Sequence, residues 1–324
     1  MRAVVIRGAG GPEVLAVQDV PDPVPAEGYV LIDVVAAGLN RADVQQRRGL
    51  YPPPAGASDI PGLEVSGRVA DAGRSRFRVG DAVVALLSGG GYAERVAVPA
   101  GQVVGAPDGV GLVEAAGLPE TAATVWSNLV LQAGLAAGDD ILIHGASGGI
   151  GVMAIQVSLA LGAVPHVTAG SAAKLDVARS LGVRTLINYR DEDFVARVKA
   201  ATDGRGVDVI LDVVGAEYLA RNIESLATGG RLVVIGLQGG ATAELNLGVL
   251  MGKRASVAGT TLRGRPSAEK AAILAAVEDR VWPLVASGAV RPFVDRTFPL
   301  AQVAEAHTYF DAGAHTGKIL LTMD

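Results

Sequence analysis

The stretch Asp140-Ile141-Leu142-Ile143-His144-Gly145-Ala146-Ser147-Gly148-Gly149-Ile150-Gly151 has the residue types and spacing to hold a dinucleotide. An apolar run enters a glycine-rich turn. Apolar residues then recur at Ile150, Met153, Ala154, Val157 and Leu161, a helical spacing. Glycines let the backbone turn sharply and let a pyrophosphate come close, and the free N–H groups and positive dipole end of the helix bind its charge. Sites that take NAD usually carry Asp or Glu about 20 residues further on, to accept from the ribose 2′-OH. Here the next strand candidate ends at Thr168-Ala169-Gly170-Ser171, Lys174 follows, and no carboxylate stands at that tip. A hydroxyl and an ammonium suit a 2′-phosphate, so this tip favours NADPH over NADH. Ser171 reads equally as a helix N-cap, and Lys174 as part of a solvated helix face.

Other chemistry is excluded by composition. The chain has no cysteine, which removes disulfides, thiolate nucleophiles and thiolate zinc sites. Its four histidines, His144, His166, His307 and His315, show no HxxH or HExxH spacing and read as packed or exposed side chains, so no metal site is expected. The net charge of −5 argues against a nucleic-acid partner. No apolar run approaches a membrane span, and the start, Met1-Arg2-Ala3-Val4-Val5-Ile6-Arg7-Gly8, reads as a strand rather than a signal peptide. A cytoplasmic protein without a membrane partner is the expectation.

The elements that must position these residues follow from the pattern. The 324 residues suggest about two domains, and with 50% hydrophobic and 19% charged residues a sizeable core is available. From residue 140, strands are expected at 140–144, 164–168, 184–189, 207–213, 231–236 and 255–259. Helices are expected near 149–161, 172–181, 191–201, 217–227 and 243–252. Runs such as Val207-Asp208-Val209-Ile210-Leu211 suit a parallel sheet covered on both faces, so an α/β, doubly wound, six-stranded sheet is predicted. The first hundred residues differ. Short strands such as Val30-Leu31-Ile32-Asp33-Val34-Val35 are separated by breaks such as Tyr51-Pro52-Pro53-Pro54, which predicts an irregular, mostly β barrel. The last sixty residues predict a helix near 267–287, a strand at 293–298, a helix at 301–311 and a strand at 318–322.

These residues together resemble a zinc-free medium-chain dehydrogenase/reductase of the quinone oxidoreductase, zeta-crystallin-like group, over essentially the whole chain. Val30-Leu31-Ile32-Asp33-Val34 with Gly38-Leu39-Asn40-Arg41-Ala42-Asp43 resembles the first core motif. Pro61-Gly62-Leu63-Glu64-Val65-Ser66-Gly67-Arg68-Val69 and Val79-Gly80-Asp81-Ala82-Val83 resemble the next two. Gly138-Asp139 through Gln156 is similar to the signature around the glycine turn; Leu159 departs from it, where a basic residue or serine is usual. The stretch from Leu39 to Pro54, Thr168-Ala169-Gly170-Ser171 and Asn188-Tyr189-Arg190-Asp191-Glu192-Asp193-Phe194 resemble the p53-inducible quinone oxidoreductase subgroup.

The resemblance implies a GroES-like domain from 1–119 and 262–324, with a Rossmann domain at 120–261 inserted and the cofactor in the cleft. It implies that Ala146, Ser147, Gly148, Gly149 and Ile150 cradle the pyrophosphate, and that Tyr189 borders the 2′-phosphate beside Gly170, Ser171 and Lys174. Thr124 would approach the nicotinamide, Gly236, Leu237 and the turn Thr260-Thr261-Leu262 would flank its far side, and Lys318 would close over the cofactor. Thr124 and Thr260 read equally as ordinary packing. Zinc-dependent relatives place Cys and a His-Glu pair where this chain has Asn40 and Leu63-Glu64, which cannot hold Zn²⁺ well. The implied chemistry is therefore hydride delivery from NADPH to an acceptor already electrophilic, a quinone or other electrophilic carbonyl, lying near Asn40 and Tyr51. Asn40 can donate to its oxygen, and Tyr51 can stack on its ring or, alternatively, cap the proline run. A homodimer is implied as well.

Two other readings stay open. An enone or enoyl-thioester reductase would need an adenylate-binding basic patch, for which Arg74-Ser75-Arg76-Phe77-Arg78 is a candidate, although a solvated turn reads as well. A non-catalytic, NADPH-binding structural or RNA-binding protein is the other.

Overall fold

The computed structural model describes residues 1–323 and divides into two compact units, Met1–Ala123 with Leu262–Asp324, and Thr124–Thr261. The first is built on a seven-stranded sheet, with a separate antiparallel pair, Arg2–Ile6 and Leu15–Asp19. The long strand Tyr29–Leu39 is its hub. It pairs antiparallel with Glu64–Asp71, Arg95–Pro99 and Lys318–Thr322. Alternate residues of these strands point inward, so Val30, Ile32, Val65, Val98, Ile319 and Leu321 pack into one apolar core.

Register brings chemistry to one end of the hub. Leu39 lies opposite Ile319, and Ala37 lies opposite Val65. Asn40, Glu64 and Lys318 are the neighbours of those positions, so three strand ends set them side by side. The close fit needs Gly38: a Cβ there would stand 2.2 Å from Glu64 Oε1.

The second unit carries six parallel strands. Thr185–Asn188, Val164–Ala169, Asp140–His144, Val207–Asp212, Leu226–Val234 and Ser256–Gly259 lie side by side in that order. Strand order reverses on either side of Asp140–His144, the switch point where doubly wound sheets place ligands at their carboxyl ends. Leu142, Ile187, Phe194, Val198, Ile210, Leu226 and Leu232 form a core on one face of the sheet.

Three expectations need correction. The helix expected over 267–287 is two, Ser267–Arg280 and Trp282–Ala286, because Pro283 has no N–H to continue the ladder. The strand expected at 231–236 runs over Leu226–Val234 with a register shift opposite Val207/Val209; Gly229 supplies the positive φ of +80° within the irregular stretch. Its early start ends the preceding helix at Ser225, short of the expected 227. A helix at Arg41–Arg47 was not legible from periodicity, being only 7 residues long.

Candidate functional site

In the second unit the strand Asp140–His144 ends in the glycine turn. Gly145 and Ala146 donate their N–H groups to Thr168 O at 3.1 and 3.0 Å, which ties the turn to the next strand. The helix Gly149–Ala160 begins with Gly148 as N-cap, and no side chain caps it. Its first N–H groups therefore face outward, with the dipole behind them. Gly151 lets the helix start close against the turn: a Cβ there would lie 2.1 Å from Gly145 O. Ala146, Ser147, Gly148, Gly149 and Ile150 thus form one arc, in which the Ala146 and Gly148 N–H groups brace the turn and those of Ser147, Gly149 and Ile150 are the ones placed to take an anion.

His144 braces this arc from below. It is buried, Nδ1 meets Thr168 Oγ1 at 2.9 Å and Nε2 meets Asn222 Oδ1 at 2.8 Å. Burial pushes its pKa down to about 4, so the ring is neutral; with the Asn222 oxygen facing Nε2, that nitrogen carries the proton and Nδ1 accepts from Thr168.

The tip of the second strand collects the expected phosphate residues. Asn188 lies in register with Ala169, so the residues after each strand meet. A Cβ on Gly170 would stand 2.6 Å from Tyr189 Oη and 3.3 Å from Arg190 Nε. Ser171 is the N-cap of helix Ala172–Ser180, accepting from the Lys174 N–H at a long 3.4 Å. Its N-cap reading thus holds, and the length of the bond leaves its hydroxyl usable. Arg190, beside Gly170, adds a guanidinium that periodicity did not flag.

Thr124 and Thr260 are brought together by Asn128. Its Nδ2 donates to Thr124 O at 2.8 Å, and its Oδ1 accepts from Thr260 Oγ1. Asn128 lies in the wider helical stretch Trp126–Gln132, a π-helix continuing from Pro119–Val125. Gly236 and Leu237 lie in the loop after Leu226–Val234. Gly236 packs on Val213, where a Cβ would be 2.7 Å from Val213 O, and Leu237 is exposed. The buried Asp212 holds the facing loop by accepting from Val214 N and Gly215 N.

Asn40, Tyr51, Leu262 and Lys318 belong to the other unit. Lys318 is buried, and its ammonium has three acceptors: Leu39 O at 2.9 Å, Asn40 Oδ1 at 2.6 Å and Glu64 Oε1 at 2.7 Å. Lysine has only donors, so this contact fixes the Asn40 amide with Oδ1 toward Lys318 and Nδ2 donating to Glu64 Oε1 at 3.0 Å and, more weakly, to Gly38 O at 3.3 Å. The Asn40 backbone N–H goes to Asp43 Oδ2, whose carboxyl also accepts from Gly62 N and Tyr92 Oη. Burial raises the Asp43 pKa to about 6 despite these bonds.

Tyr51 is braced by Arg263. The guanidinium donates to Tyr51 O at 3.2 Å, Ser88 O at 2.9 Å and Gln46 Oε1 at 2.6 Å, and stands 5.4 Å from the Tyr51 ring centre. Lys270 bonds Ser88 Oγ. Both cations are buried and hydrogen-bond only neutral groups there, an arrangement with no signal in the local sequence. Leu262 is buried. In the basic run at 74–78, Arg74 pairs with Glu27 at 2.9 Å and Arg76 with Glu278 at 2.5 Å. These exposed pairs are what a solvated turn shows, with the first pair 86% and 80% exposed.

Comparisons with known proteins bear on this arrangement. Residues 149–278 match the family model described as zinc-binding dehydrogenase, and residues 26–108 match the alcohol dehydrogenase GroES-like domain. The chain is 31% identical to the human quinone oxidoreductase, over 100% of this chain and 98% of that one. A crystal structure of Escherichia coli quinone oxidoreductase complexed with NADPH is similar with a TM-score of 0.87 at 31% identity, covering 99% of this chain and 100% of that one. A crystal structure of an NAD-dependent alcohol dehydrogenase gives 0.88 at 31% identity, with 100% of both chains covered.

The zinc of that first family model has a poor fit to these residues. Asn40 Oδ1 and Glu64 Oε1 both point at the Lys318 ammonium, which supplies the positive charge there, and the neighbouring Leu63 is apolar and buried. Among the described residues no group of three or more His, Asp or Glu gathers to hold a metal.

Proposed function

The chain belongs to the quinone oxidoreductase group of the medium-chain dehydrogenase/reductase family, and from that premise we propose that it transfers hydride from NADPH to a quinone without zinc. The observation that supports this reading is the Lys318 ammonium between Asn40 and Glu64, a fixed cation and an oriented amide that would stand where a Lewis acid would otherwise be needed. A saturated ketone needs its oxygen strongly polarised, by a Lewis acid or a general acid, to accept hydride; a quinone is electrophilic without a metal. NADPH rather than NADH is favoured by the acid-free tip at Gly170, Ser171, Lys174, Tyr189 and Arg190. The pyrophosphate would lie on Ala146–Ile150, with Thr124, Gly236, Leu237, Thr260 and Leu262 around the nicotinamide. Lys318 would act through the Asn40 amide, because its three donors already have three acceptors. Asn40 and Tyr51 would hold the acceptor, Asn40 by releasing its weak 3.3 Å bond to Gly38 O to free one amide hydrogen, and catalysis would be mainly the positioning of donor and acceptor.

Metal independence is directly testable. Purified protein should carry no stoichiometric zinc, and a chelator should leave NADPH-dependent quinone reduction unchanged. One zinc per chain whose removal abolishes the rate would overturn this part of the reading.

We also assign a homodimer. The strand Ser256–Gly259 is the edge of its sheet, and Leu247, Val249, Met251 and Val257 are exposed apolar residues near it in sequence. An open apolar edge invites pairing with its own copy about a two-fold axis. Val257→Glu should shift sedimentation from dimer to monomer, since two such charges would face each other at the axis. A wild-type protein that is monomeric at micromolar concentration would refute the assignment.

A further inference from the structure

Glu120 opens the helix Pro119–Val125. Its backbone N–H donates to Glu64 Oε2 at 2.9 Å. Glu64 Oε1 takes the Asn40 amide and the Lys318 ammonium, so one carboxylate joins Glu120 to the residue assigned to the acceptor. Three acids therefore share this corner. Both oxygens of Asp43 and both oxygens of Glu64 are occupied by donors. Glu120 differs: its Oε2 is buried with no hydrogen-bond partner. A buried anionic oxygen without a donor costs more than a neutral carboxyl in the same place, so the site favours the protonated form.

The surroundings act in the same direction. Glu64 faces Glu120 from the strand Glu64–Asp71, Asp43 from the helix Arg41–Arg47, Lys318 from the strand Lys318–Thr322 and Lys270 from the helix Ser267–Arg280. Tyr51 and Arg263 also feel its charge. Burial is the dominant cause, the two acids add to it, the two lysines oppose it, and the carboxyl is pushed up to about 8. Glu120 is thus an acid that keeps its proton at neutral pH and lies within electrostatic reach of Tyr51.

We propose that Glu120 is the proton donor to the acceptor, a role that rests on the hydride-transfer reading above. Bound NADPH would supply a hydride to the conjugated acceptor, its C–H electron pair going to the acceptor and NADP⁺ being the oxidised product. The displaced electron pair settles on a carbonyl oxygen. That oxygen takes the Glu120 proton, and the resulting carboxylate is reprotonated from solvent. Two electrons and two hydrogens reach the acceptor, one hydrogen from NADPH and one from Glu120.

The rate should require the protonated form, so kcat falls as pH rises through about 8. The test follows steady-state kinetics from neutral to alkaline pH for wild type, Glu120→Gln and Glu120→Asp, on whichever quinone or enone the wild type reduces fastest. Glu120→Gln should lower kcat on the order of 100-fold, leave NADPH affinity within about twofold, and remove the alkaline fall. Glu120→Asp should regain part of the rate and show the fall at a shifted pH; it carries the test alone if the Gln variant does not fold. A structural role would change the rate while leaving the alkaline fall where it was. A Gln variant within about threefold of wild type, or either variant with the fall unmoved, overturns the proposal. A wild type that reduces no acceptor removes the hydride-transfer reading and this one together; normal turnover in the Gln variant removes this one alone.

Discussion

Lys318→Met should cost the first unit about 3–5 kcal/mol of stability, because it leaves the buried Glu64 carboxylate without its counter-charge. Glu64 is fully buried and would keep only the Asn40 amide and the Glu120 N–H. The chain has two tryptophans, and Trp282 belongs to the first unit, so denaturant titration read on Trp282 in a Trp126→Phe background isolates the effect. Adding Glu64→Gln should recover much of the loss, since the uncompensated charge goes with it. Quinone turnover should not return, because the Asn40 amide has lost the ammonium that orients it. A loss below about 1 kcal/mol for Lys318→Met would contradict a buried, committed ion pair.

Lys174→Ala should weaken NADPH binding by about 10–100-fold, equivalent to roughly 1.5–3 kcal/mol for a charge-assisted contact. NADH should bind almost as before, having no 2′-phosphate. Tyr189 and Arg190 stand nearest the Gly170 tip, and the neighbouring Asp191 and Glu192 carboxylates are engaged by Asn188. Arg190→Ala should add to the loss for NADPH alone. Titrating both cofactors against wild type and variants decides it. Equal losses for NADH and NADPH would place Lys174 away from the phosphate. A wild type that prefers NADH would favour a cofactor choice like that named for the NAD-dependent alcohol dehydrogenase it resembles in fold.

The second unit was largely legible from sequence because its signals are local. An apolar strand, a glycine turn and a 3.6-residue period lie within about twenty residues of one another, and each repeats along the sheet. The misread boundaries have local causes too. Pro283 sits inside an otherwise helical pattern, and Gly229 inside a strand one. The acceptor corner was legible only as residue types. Asn40 and Lys318 meet across 278 residues, and Glu120 meets Glu64 across 56. No periodicity encodes such pairings; they follow from strand register in a sheet whose neighbours are far apart in sequence. Nothing in the local spacing around Glu120, Arg263 or Lys270 marks them as part of a site. Arg190 acquired meaning only once Asn188 was seen in register with Ala169.

The central claim is tested most directly by one steady-state panel: NADPH oxidation with a planar quinone, an enal, an enoyl thioester and a saturated ketone, each with wild type and Tyr51→Ala. The quinone should give the highest kcat/KM and the saturated ketone the lowest, because the ketone depends most on strong polarisation of its oxygen. Tyr51→Ala should impair quinone reduction while leaving NADPH affinity nearly intact, since its ring serves the acceptor alone. A higher kcat/KM for the enal or the thioester would contradict quinone reduction, and NADPH binding with no acceptor reduced would leave a binding protein rather than an enzyme.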